Sequence, residues 1–246
     1  MSIAIIGGSG LSKLPEVKIN DEIVIDTPWG KPSAPIIIGE INKTNIIFLP
    51  RHGNDHAIPP HKINYRANIW ALNKINTSKI ISVNTVGGIT ESMNPETIIV
   101  PDQIIDYTSG RESTFYEEDL KDVKHIDFTM PYAETLRDQL IKAAQAIKLK
   151  IYTKGVYGVT QGPRLETAAE ISRLERDGCD IVGMTGMPEA SLARELGLDY
   201  ACCGLIVNWA AGKSDMPITM EIIEKNLKNG LNNIKLLIAE ILRSCN

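Results

Sequence analysis

The feature that most constrains the fold is a repeated alternation between short apolar segments and longer segments with helical spacing. The apolar segments are rich in Ile and Val, which is typical of strands buried on both faces. This alternation predicts an α/β fold, a single domain over residues 1–246 with a central mixed, largely parallel sheet flanked by helices. The predicted strands are 3–6, 36–38, 45–49, 79–84, 97–100, 151–160, 180–184 and 200–207.

Helices are predicted where apolar residues recur every three or four positions. Gly178 and Gly197 follow two of these segments and suit the C′ position, where a left-handed backbone ends a helix. Pro131 suits the first position of the helix that follows it. The predicted helices are 65–74, 132–148, 166–177, 188–196 and 219–242.

The composition is that of an ordinary globular protein and argues against nucleic-acid binding. The chain has 246 residues, of which 43% are hydrophobic and 23% charged, and its formal net charge is -4. A nucleic-acid binder normally has a basic excess, whereas a small anion needs only a few local cations. No apolar run approaches the ~20 residues that span a bilayer, and no signal-peptide pattern opens the sequence. We therefore expect a cytoplasmic protein without a membrane or nucleic-acid partner.

The first predicted strand ends in a glycine-rich loop, Gly7-Gly8-Ser9-Gly10. The loop departs from the G-x-G-x-x-G spacing of dinucleotide-binding folds, because Lys13 stands where the third glycine belongs and Pro15 interrupts any helix that follows. Glycine backbone N–H groups and the Ser9 hydroxyl would still suit an anion. A tight turn without a ligand is the structural alternative.

Arg51 and His52 follow the strand predicted at 45–49 and open a segment rich in histidine. His52, His56 and His61 lie within ten positions, and a metal site is one interpretation, although a pair of prolines breaks any helix that could align them. A solvated loop is another. We favour an oxyanion site, because Arg51 offers a permanent charge with a two-pronged geometry and His52 offers a donor beside it.

Further polar motifs lie at other predicted strand ends. The segment 161–167 carries Glu166 at a predicted helix start, and the segment 183–189 places Thr185 before a helix N-terminus, where an anion is favoured. Asn208 closes the last predicted strand. Dipole complementarity for Glu166, capping by Thr185 and a turn role for Asn208 are the structural alternatives. Because ligands of open α/β sheets bind at the carboxyl ends of strands, we expect these motifs to meet at one substrate.

As a set, the motifs resemble those of the trimeric purine nucleoside phosphorylases and 5′-methylthioadenosine phosphorylases. The resemblance runs from Ile3 to the C-terminal helix. It implies a nucleoside phosphorylase fold and a pentosyltransferase that cleaves a purine nucleoside with inorganic phosphate, without a metal or organic cofactor. It also implies a homotrimer in which a neighbouring subunit contributes to the site. The motifs that carry it are IIGGSGL, RHGxxH, NYRANIWAL, GPRLET and GMTGMPE.

The resemblance also implies roles for single residues, each by its position in a shared motif. Asn208, Arg51 and His52 match residues that would carry the catalysis. His125 resembles a residue that is lent to the neighbouring subunit's site, and Met184 matches a methionine packed under the ribose. The remaining matches are Ser9, Arg51, His52, Thr85 and Thr185 for phosphate, and Val86, Gly87, Leu165, Glu166 and Asn208 for the base.

The choice of purine is indicated at three positions. Methylthioadenosine enzymes of the family carry aspartates at the positions of Asn208 and Ala210 and a serine at that of Glu166, so this chain departs from the adenine pattern. The Asn208 amide can donate to O6 and accept from N7–H of a 6-oxopurine, and the Glu166 carboxylate can accept from N1–H. Adenine would mispair at both, at about 1–3 kcal/mol each. We expect a 6-oxopurine preference.

The 5′ group of the nucleoside is indicated by residues 216–223. Relatives that accept a 5′-hydroxyl tend to have a histidine near the start of the last helix, whereas this chain has none there. Ile218, Met220 and Ile222 instead suggest an apolar wall that suits a methylthio group, although they could be ordinary core. We therefore expect S-methyl-5′-thioinosine as substrate, with inosine or guanosine, or methylthioadenosine, as the alternatives.

More distant functions are kept as alternatives. A nucleoside hydrolase would use water and would need a carboxylate near C1′ of the sugar. A non-catalytic nucleoside-binding protein would hold the nucleoside without releasing the base. A dinucleotide-dependent oxidoreductase would need the glycine spacing that the first loop lacks.

Overall fold

The computed structural model describes residues 2–8, 18–41, 44–118 and 123–244. Within these residues, one mixed sheet of eleven strands lies between layers of helices. The strands are β1 Ser2–Gly7, β2 Lys18–Ile23, β3 Ile36–Ile41, β4 Thr44–Pro50, β5 Thr77–Gly88, β6 Ile98–Ile99, β7 Gln103–Asp106, β8 Ile151–Tyr152, β9 Val156–Val159, β10 Ile181–Gly183 and β11 Asp199–Trp209. The helices are α1 Tyr65–Lys74, α2 Glu134–Ala146, α3 Ala168–Arg176, α4 Glu189–Glu195 and α5 Met220–Ser244, with a short 3-10 turn at Pro60–Lys62.

The central strand β5 determines where a ligand can enter. On one edge it pairs with β11, in parallel, from Lys79 to Gly88. On the other edge it pairs with β1 as far as Ser82, and then with β10, antiparallel, at Gly87 and Gly88. Among the described strands, residues 83–86 therefore have no partner on that second edge. The sheet opens at this point, next to the ends of β1 and β4.

In the described residues the helices bury two large apolar clusters, one on each face of the sheet, and a smaller third cluster to which α3 contributes. Alternate residues of β1 serve opposite faces, as the period of two in a strand requires: Ile3 and Ile5 belong to one cluster, Ala4 and Ile6 to the other. Apolar residues of α2 and α5 cover the first face, and those of α1 and α4 cover the second. Two buried faces explain why the strands lack an alternating polar pattern.

The sequence contains clear signals for several helix ends. Asn64 caps α1 by accepting a hydrogen bond from the backbone N–H of Ala67 at 3.0 Å. Thr167 and Glu170 form a capping box that begins α3. Gly178 and Gly197 adopt positive φ angles directly after the cap residues of α3 and α4. The prediction that these two glycines end helices is confirmed.

The α/β prediction, with its mixed sheet flanked by helices, is confirmed, while several boundaries differ. The strand expected at 79–84 continues to Gly88 because β11 and β10 pair with its end. The strand expected at 151–160 is two strands, β8 and β9, which pair with different partners, β6 and β10. Pro131 is not the first helical residue, because α2 begins at Glu134.

Two of the described strands were not predicted from the sequence. β2 is exposed along most of its length and has the polar sequence KINDEI, and β7 is short and only partly buried. Neither contains the buried apolar run on which the strand predictions depended. Among the described helices, none combines the length and the apolar character needed to cross a membrane.

Candidate active site

The polar motifs meet in one cavity beside the opening along β5. The cavity encloses about 670 Å³, which suits a small-molecule site. Its walls come from the segment after β4, the ends of β5, β10 and β11, and the first half of α5. Of the residues singled out from the sequence, those that line it are Arg51, His52, Thr85, Val86, Gly87, Leu165, Glu166, Met184, Thr185, Asn208, Ile218 and Met220.

Other expected site residues do not line this cavity. Ser9 lies outside the described residues. Ile222 does not contribute, whereas its neighbour Ile223 does, because successive side chains of an α-helix point in directions about 100° apart. The cavity wall thus includes Ile223 and not Ile222, and a role of Ile222 at the 5′ group stays a prediction. His125 lies in the exposed segment 123–130 and does not line the cavity of the single chain.

Arg51 is held rigidly at the inner end of the cavity. Its side chain is 1% exposed and forms a two-pronged ion pair with the fully buried Glu189, Nε to Oε2 at 2.7 Å and Nη2 to Oε1 at 2.8 Å. Nη1 donates to the Val83 carbonyl oxygen at 3.1 Å. Burial opposes the charge of the guanidinium, but the attraction of Glu189 outweighs it and raises the pKa of Arg51 above its usual value. Arg51 is a permanent cation.

One donor of Arg51 is left for a ligand. A guanidinium carries five N–H groups, two of them on Nη1. The Val83 carbonyl takes one Nη1 hydrogen, and within the described residues no acceptor takes the other. Because Arg51 lines the cavity, this hydrogen and the fixed charge are available to an anion there.

His52 differs from the expectation that it would donate to an anion. Its Nδ1 lies 2.8 Å from the Ile58 carbonyl oxygen, which can only accept, so Nδ1 carries the proton. Burial and the charge of Arg51 lower the pKa of His52 to about 4, so the ring is neutral near pH 7. A neutral ring protonated at Nδ1 has a lone pair at Nε2. In the free protein His52 is thus an acceptor at Nε2.

The lowered pKa of His52 has a consequence for stability. Between pH 6.5 and about pH 4 the unfolded chain protonates this ring while the folded chain does not, so stability falls as the pH falls through this window. Relative to His52→Asn, which keeps a donor for Ile58, the wild type should lose about 2–3 kcal/mol more between pH 7 and pH 4. Denaturant unfolding at both pH values measures this, and equal losses would contradict the assignment.

Two threonine side chains line the same cavity as the Arg51 cation. Thr85 is exposed to the cavity in the unpaired part of β5. Thr185 lies after β10, is 7% exposed, and accepts a hydrogen bond at Oγ1 from Asn84 Nδ2 at 2.7 Å. Together with the cation they give this cavity the donors that an oxyanion requires.

Glu166 and Asn208 also lie on the cavity wall. Thr160 Oγ1 donates to Glu166 Oε1 at 2.5 Å, which leaves Oε2 for a ligand. Asn208 Nδ2 donates to the Trp209 carbonyl oxygen at 2.7 Å, which leaves one amide hydrogen and the amide oxygen. Gly87 allows close approach, since a Cβ there would stand 3.3 Å from Asn208 Nδ2.

The structure shows functional candidates that the sequence analysis missed. Glu189 belongs to a recognised motif, yet its link to Arg51 spans 138 positions, and no local pattern announces it. Ser82 and Asn84 lie in β5 and are buried. Alternation along β5 from Val86 was the available signal, because residues two apart share a face.

The described part of the chain contains no set of side chains that could ligate a metal at the histidine-rich segment. No three His, Cys, Asp or Glu side chains there are arranged to hold an ion. The rings of His52 and His56 lie 4.4 Å apart between centroids, and both line the cavity, whereas His61 does not.

Comparisons with known proteins agree over nearly the whole chain. The family model described as Phosphorylase superfamily matches residues 2–243. A probable S-methyl-5′-thioinosine phosphorylase of Pseudomonas syringae pv. tomato is 53% identical over 239 residues, 97% of each chain. A 6-oxopurine nucleoside phosphorylase of Pyrococcus furiosus is 44% identical over 97% of this chain and 91% of its own.

A solved structure is also similar over the full length of this chain. Methylthioadenosine phosphorylase from Schistosoma mansoni in complex with adenine superposes with a TM-score of 0.94 at 31% identity. The match covers 100% of this chain and 92% of that one.

Proposed function

We propose, from the premise that the chain belongs to the phosphorylase superfamily and is a purine nucleoside phosphorylase, that it cleaves S-methyl-5′-thioinosine with inorganic phosphate. The products are hypoxanthine and 5-methylthioribose 1-phosphate. The observation that carries the proposal is one cavity in which the cationic group around Arg51 and the polar pair Glu166 and Asn208 both lie. Inorganic phosphate is the co-substrate, and no metal or organic cofactor takes part.

The choice of base rests on Glu166 and Asn208. Glu166 Oε2 is an acceptor without a protein donor among the described residues, and it suits the N1–H of hypoxanthine. The free amide hydrogen of Asn208 suits O6, and its oxygen suits N7–H. Adenine has a lone pair at N1 and an amine at position 6. It would therefore place an acceptor against the Glu166 carboxylate and a donor against the Asn208 amide hydrogen. Leu165, 46% exposed at the cavity mouth, with Val86 and Gly87, supplies the apolar surface for the ring.

The 5′ group faces the apolar start of α5 in this proposal. Ile218, Met220 and Ile223 line the cavity, and Met184, which also lines it, is the candidate for contact with the sugar. A methylthio group gains from burial against such side chains, whereas a hydroxyl would lose hydrogen bonds with water. A 6-oxopurine phosphorylase acting on inosine or guanosine is the alternative that this wall disfavours.

A matched pair of isoleucines tests the 5′ wall. Ile223 lines the cavity and Ile222 does not, yet both are partly buried in the first turn of α5. Ile223→Ala should lower the ratio of kcat/KM for methylthioinosine to that for inosine by about tenfold or more, because one buried methylene discriminates by about 1–3 kcal/mol. Ile222→Ala should leave the ratio unchanged. Equal effects of the two changes would remove the wall from the account.

The proposed mechanism follows the charges that develop as C1′–N9 breaks. The ribose becomes cationic, as in glycoside hydrolysis, and the purine becomes anionic. A phosphate held by Arg51, Thr85 and Thr185 stabilises the cation and then captures C1′. Its remaining O–H can donate to the Nε2 lone pair of His52. Asn208 stabilises the departing base while N7 gains a proton from solvent, and the proton of the phosphate O–H is released in exchange.

The proposal includes an assembly and a location. We infer a homotrimer, in which the partner subunit's His125 reaches the sugar side of the site, because this residue is exposed on a segment that does not line its own cavity. We place the enzyme in the cytoplasm, where its phosphate and nucleoside substrates occur and where the buried free thiols of Cys179, Cys202 and Cys203 stay reduced.

A substrate comparison tests the proposal. The purified enzyme is assayed in phosphate buffer with methylthioinosine, inosine and methylthioadenosine, and kcat/KM is measured for each. We expect the highest value for methylthioinosine. A higher value for inosine would assign the general 6-oxopurine activity, and a higher value for methylthioadenosine would contradict the roles of Glu166 and Asn208.

A further inference from the structure

We propose that Asn84 is a positioning residue that forces the Thr185 hydroxyl to donate its proton into the phosphate site. The inference rests on the phosphorylase function proposed above and assigns a role to a side chain that does not itself line the cavity. It concerns the direction of hydrogen bonds rather than their number.

The Asn84 side chain contacts the Thr185 hydroxyl directly. Asn84 is 1% exposed, and its Nδ2 lies 2.7 Å from Thr185 Oγ1. An amide nitrogen only donates, so Oγ1 must accept and cannot return its proton to Asn84. The buried Tyr157 hydroxyl lies next to Thr185 and has no other hydrogen-bond partner among the described residues, so it can donate to the second lone pair of Oγ1. The proton of Thr185 is left to point into the cavity.

The groups around its oxygen fix the orientation of the Asn84 amide. Its Oδ1 lies 2.7 Å from Ser82 Oγ and 3.5 Å from Cys202 Sγ. Both groups can donate to an oxygen, so in this orientation the amide oxygen can accept from both. The amide oxygen therefore faces Ser82, and the nitrogen faces Thr185.

Ser82 links the Asn84 amide to the buried ion pair. Arg51 Nη2 donates to Ser82 Oγ at 2.6 Å. Ser82 could give its single proton to Glu189 Oε1 at 2.8 Å or to Asn84 Oδ1 at 2.7 Å. Glu189 Oε1 already accepts from Arg51 and from the Tyr200 hydroxyl. In the proposed chain of hydrogen bonds, Ser82 gives its proton to Asn84 Oδ1, which has no other oxygen donor among the described residues.

These contacts form a chain in which every donor points the same way. It runs from Arg51 through Ser82 and Asn84 to Thr185, and its last hydroxyl faces the cavity. Consecutive hydrogen bonds polarise one another in a buried site. A buried polar side chain in a central strand costs free energy unless its hydrogen bonds are satisfied. The presence of Asn84 is therefore better explained by this series of hydrogen bonds than by packing.

The test compares two buried asparagines. Asn84→Leu should raise the KM for inorganic phosphate by about 10- to 150-fold, the value of one hydrogen bond to a charged group, with little change in the KM for methylthioinosine. Asn68→Leu is the matched control, because Asn68, on α1, is 0% exposed and its side chain bonds only to Ser33 among the described residues. It should lower thermal stability and leave both KM values unchanged. A phosphate KM for Asn84→Leu no higher than that of the control would overturn the proposal.

A double-mutant cycle separates this role from a general structural one. If Asn84 acts through the Thr185 hydroxyl, Asn84→Leu should not raise the phosphate KM further in a Thr185→Val background. Additive effects would overturn the proposal. If Asn84→Leu does not fold, Asn84→Asp replaces it: a carboxylate would accept the Thr185 proton, so the phosphate KM should rise, and an unchanged KM would be contrary evidence. Wild-type turnover without phosphate would instead contradict the proposed function itself.

Discussion

Asn208→Ala should lower kcat by about 10²- to 10³-fold, the cost of removing one donor that stabilises a developing anion. The amide of Asn208 lies on the cavity wall with one hydrogen and its oxygen unengaged by the described residues. In the proposed mechanism these groups contact the purine only where negative charge builds up. The phosphate KM should change little, because the group around Arg51 is untouched.

Steady-state kinetics with methylthioinosine and phosphate measure both effects. Asn229→Ala is a control, since Asn229 is exposed and its amide donates to Glu96 at 2.8 Å, away from the cavity. It should keep the wild-type kcat. A kcat for Asn208→Ala equal to that of the control would take Asn208 out of the mechanism.

Arg51→Met should have two large effects, on phosphate binding and on stability. It removes the only permanent cation that lines the cavity among the described residues, so phosphate should no longer saturate the enzyme at concentrations that saturate the wild type. It also leaves the Glu189 carboxylate buried without its partner. Breaking a buried ion pair in this way costs about 3–5 kcal/mol, which corresponds to a fall in Tm of about 10 °C for a domain of this size.

The stability effect of Arg51→Met has two controls. Arg51→Met combined with Glu189→Gln should recover part of the loss in Tm, because the unpaired charge is gone, while phosphate saturation stays defective. Arg243→Met breaks the Arg243–Glu240 ion pair, whose arginine is 71% exposed, and should cost less than about 1 kcal/mol. Equal Tm values for Arg51→Met and Arg243→Met would contradict the importance of the buried pair.

The fold could be predicted largely from local patterns. Strands buried on both faces are apolar runs, and helices such as Tyr65–Lys74 show their spacing and caps in the sequence itself. β2 was not predicted, because an exposed edge strand with the sequence KINDEI carries no such run. The split between β8 and β9 depends on which strands they pair with, and that is a property of the whole sheet.

The candidate site was predictable to the extent that its residues lie at strand ends. Thr85, Thr185 and Asn208 follow this rule, and the structure brings them to one cavity. Three features could not be derived in this way. The acceptor role of His52 depends on how the loop folds back to place the Ile58 carbonyl against its ring. The face of α5 that carries Ile223 depends on packing. The ion-pair partner of Arg51, Glu189, lies far along the chain.

The central claim is that phosphate, and not water, captures the sugar in the cavity beside Arg51. The most direct measurement follows methylthioinosine cleavage in phosphate-free buffer and after addition of phosphate, with both products quantified. We predict no release of hypoxanthine without phosphate, and with phosphate one 5-methylthioribose 1-phosphate for each hypoxanthine. Release of hypoxanthine together with free 5-methylthioribose, at a rate that does not depend on phosphate, would contradict the account.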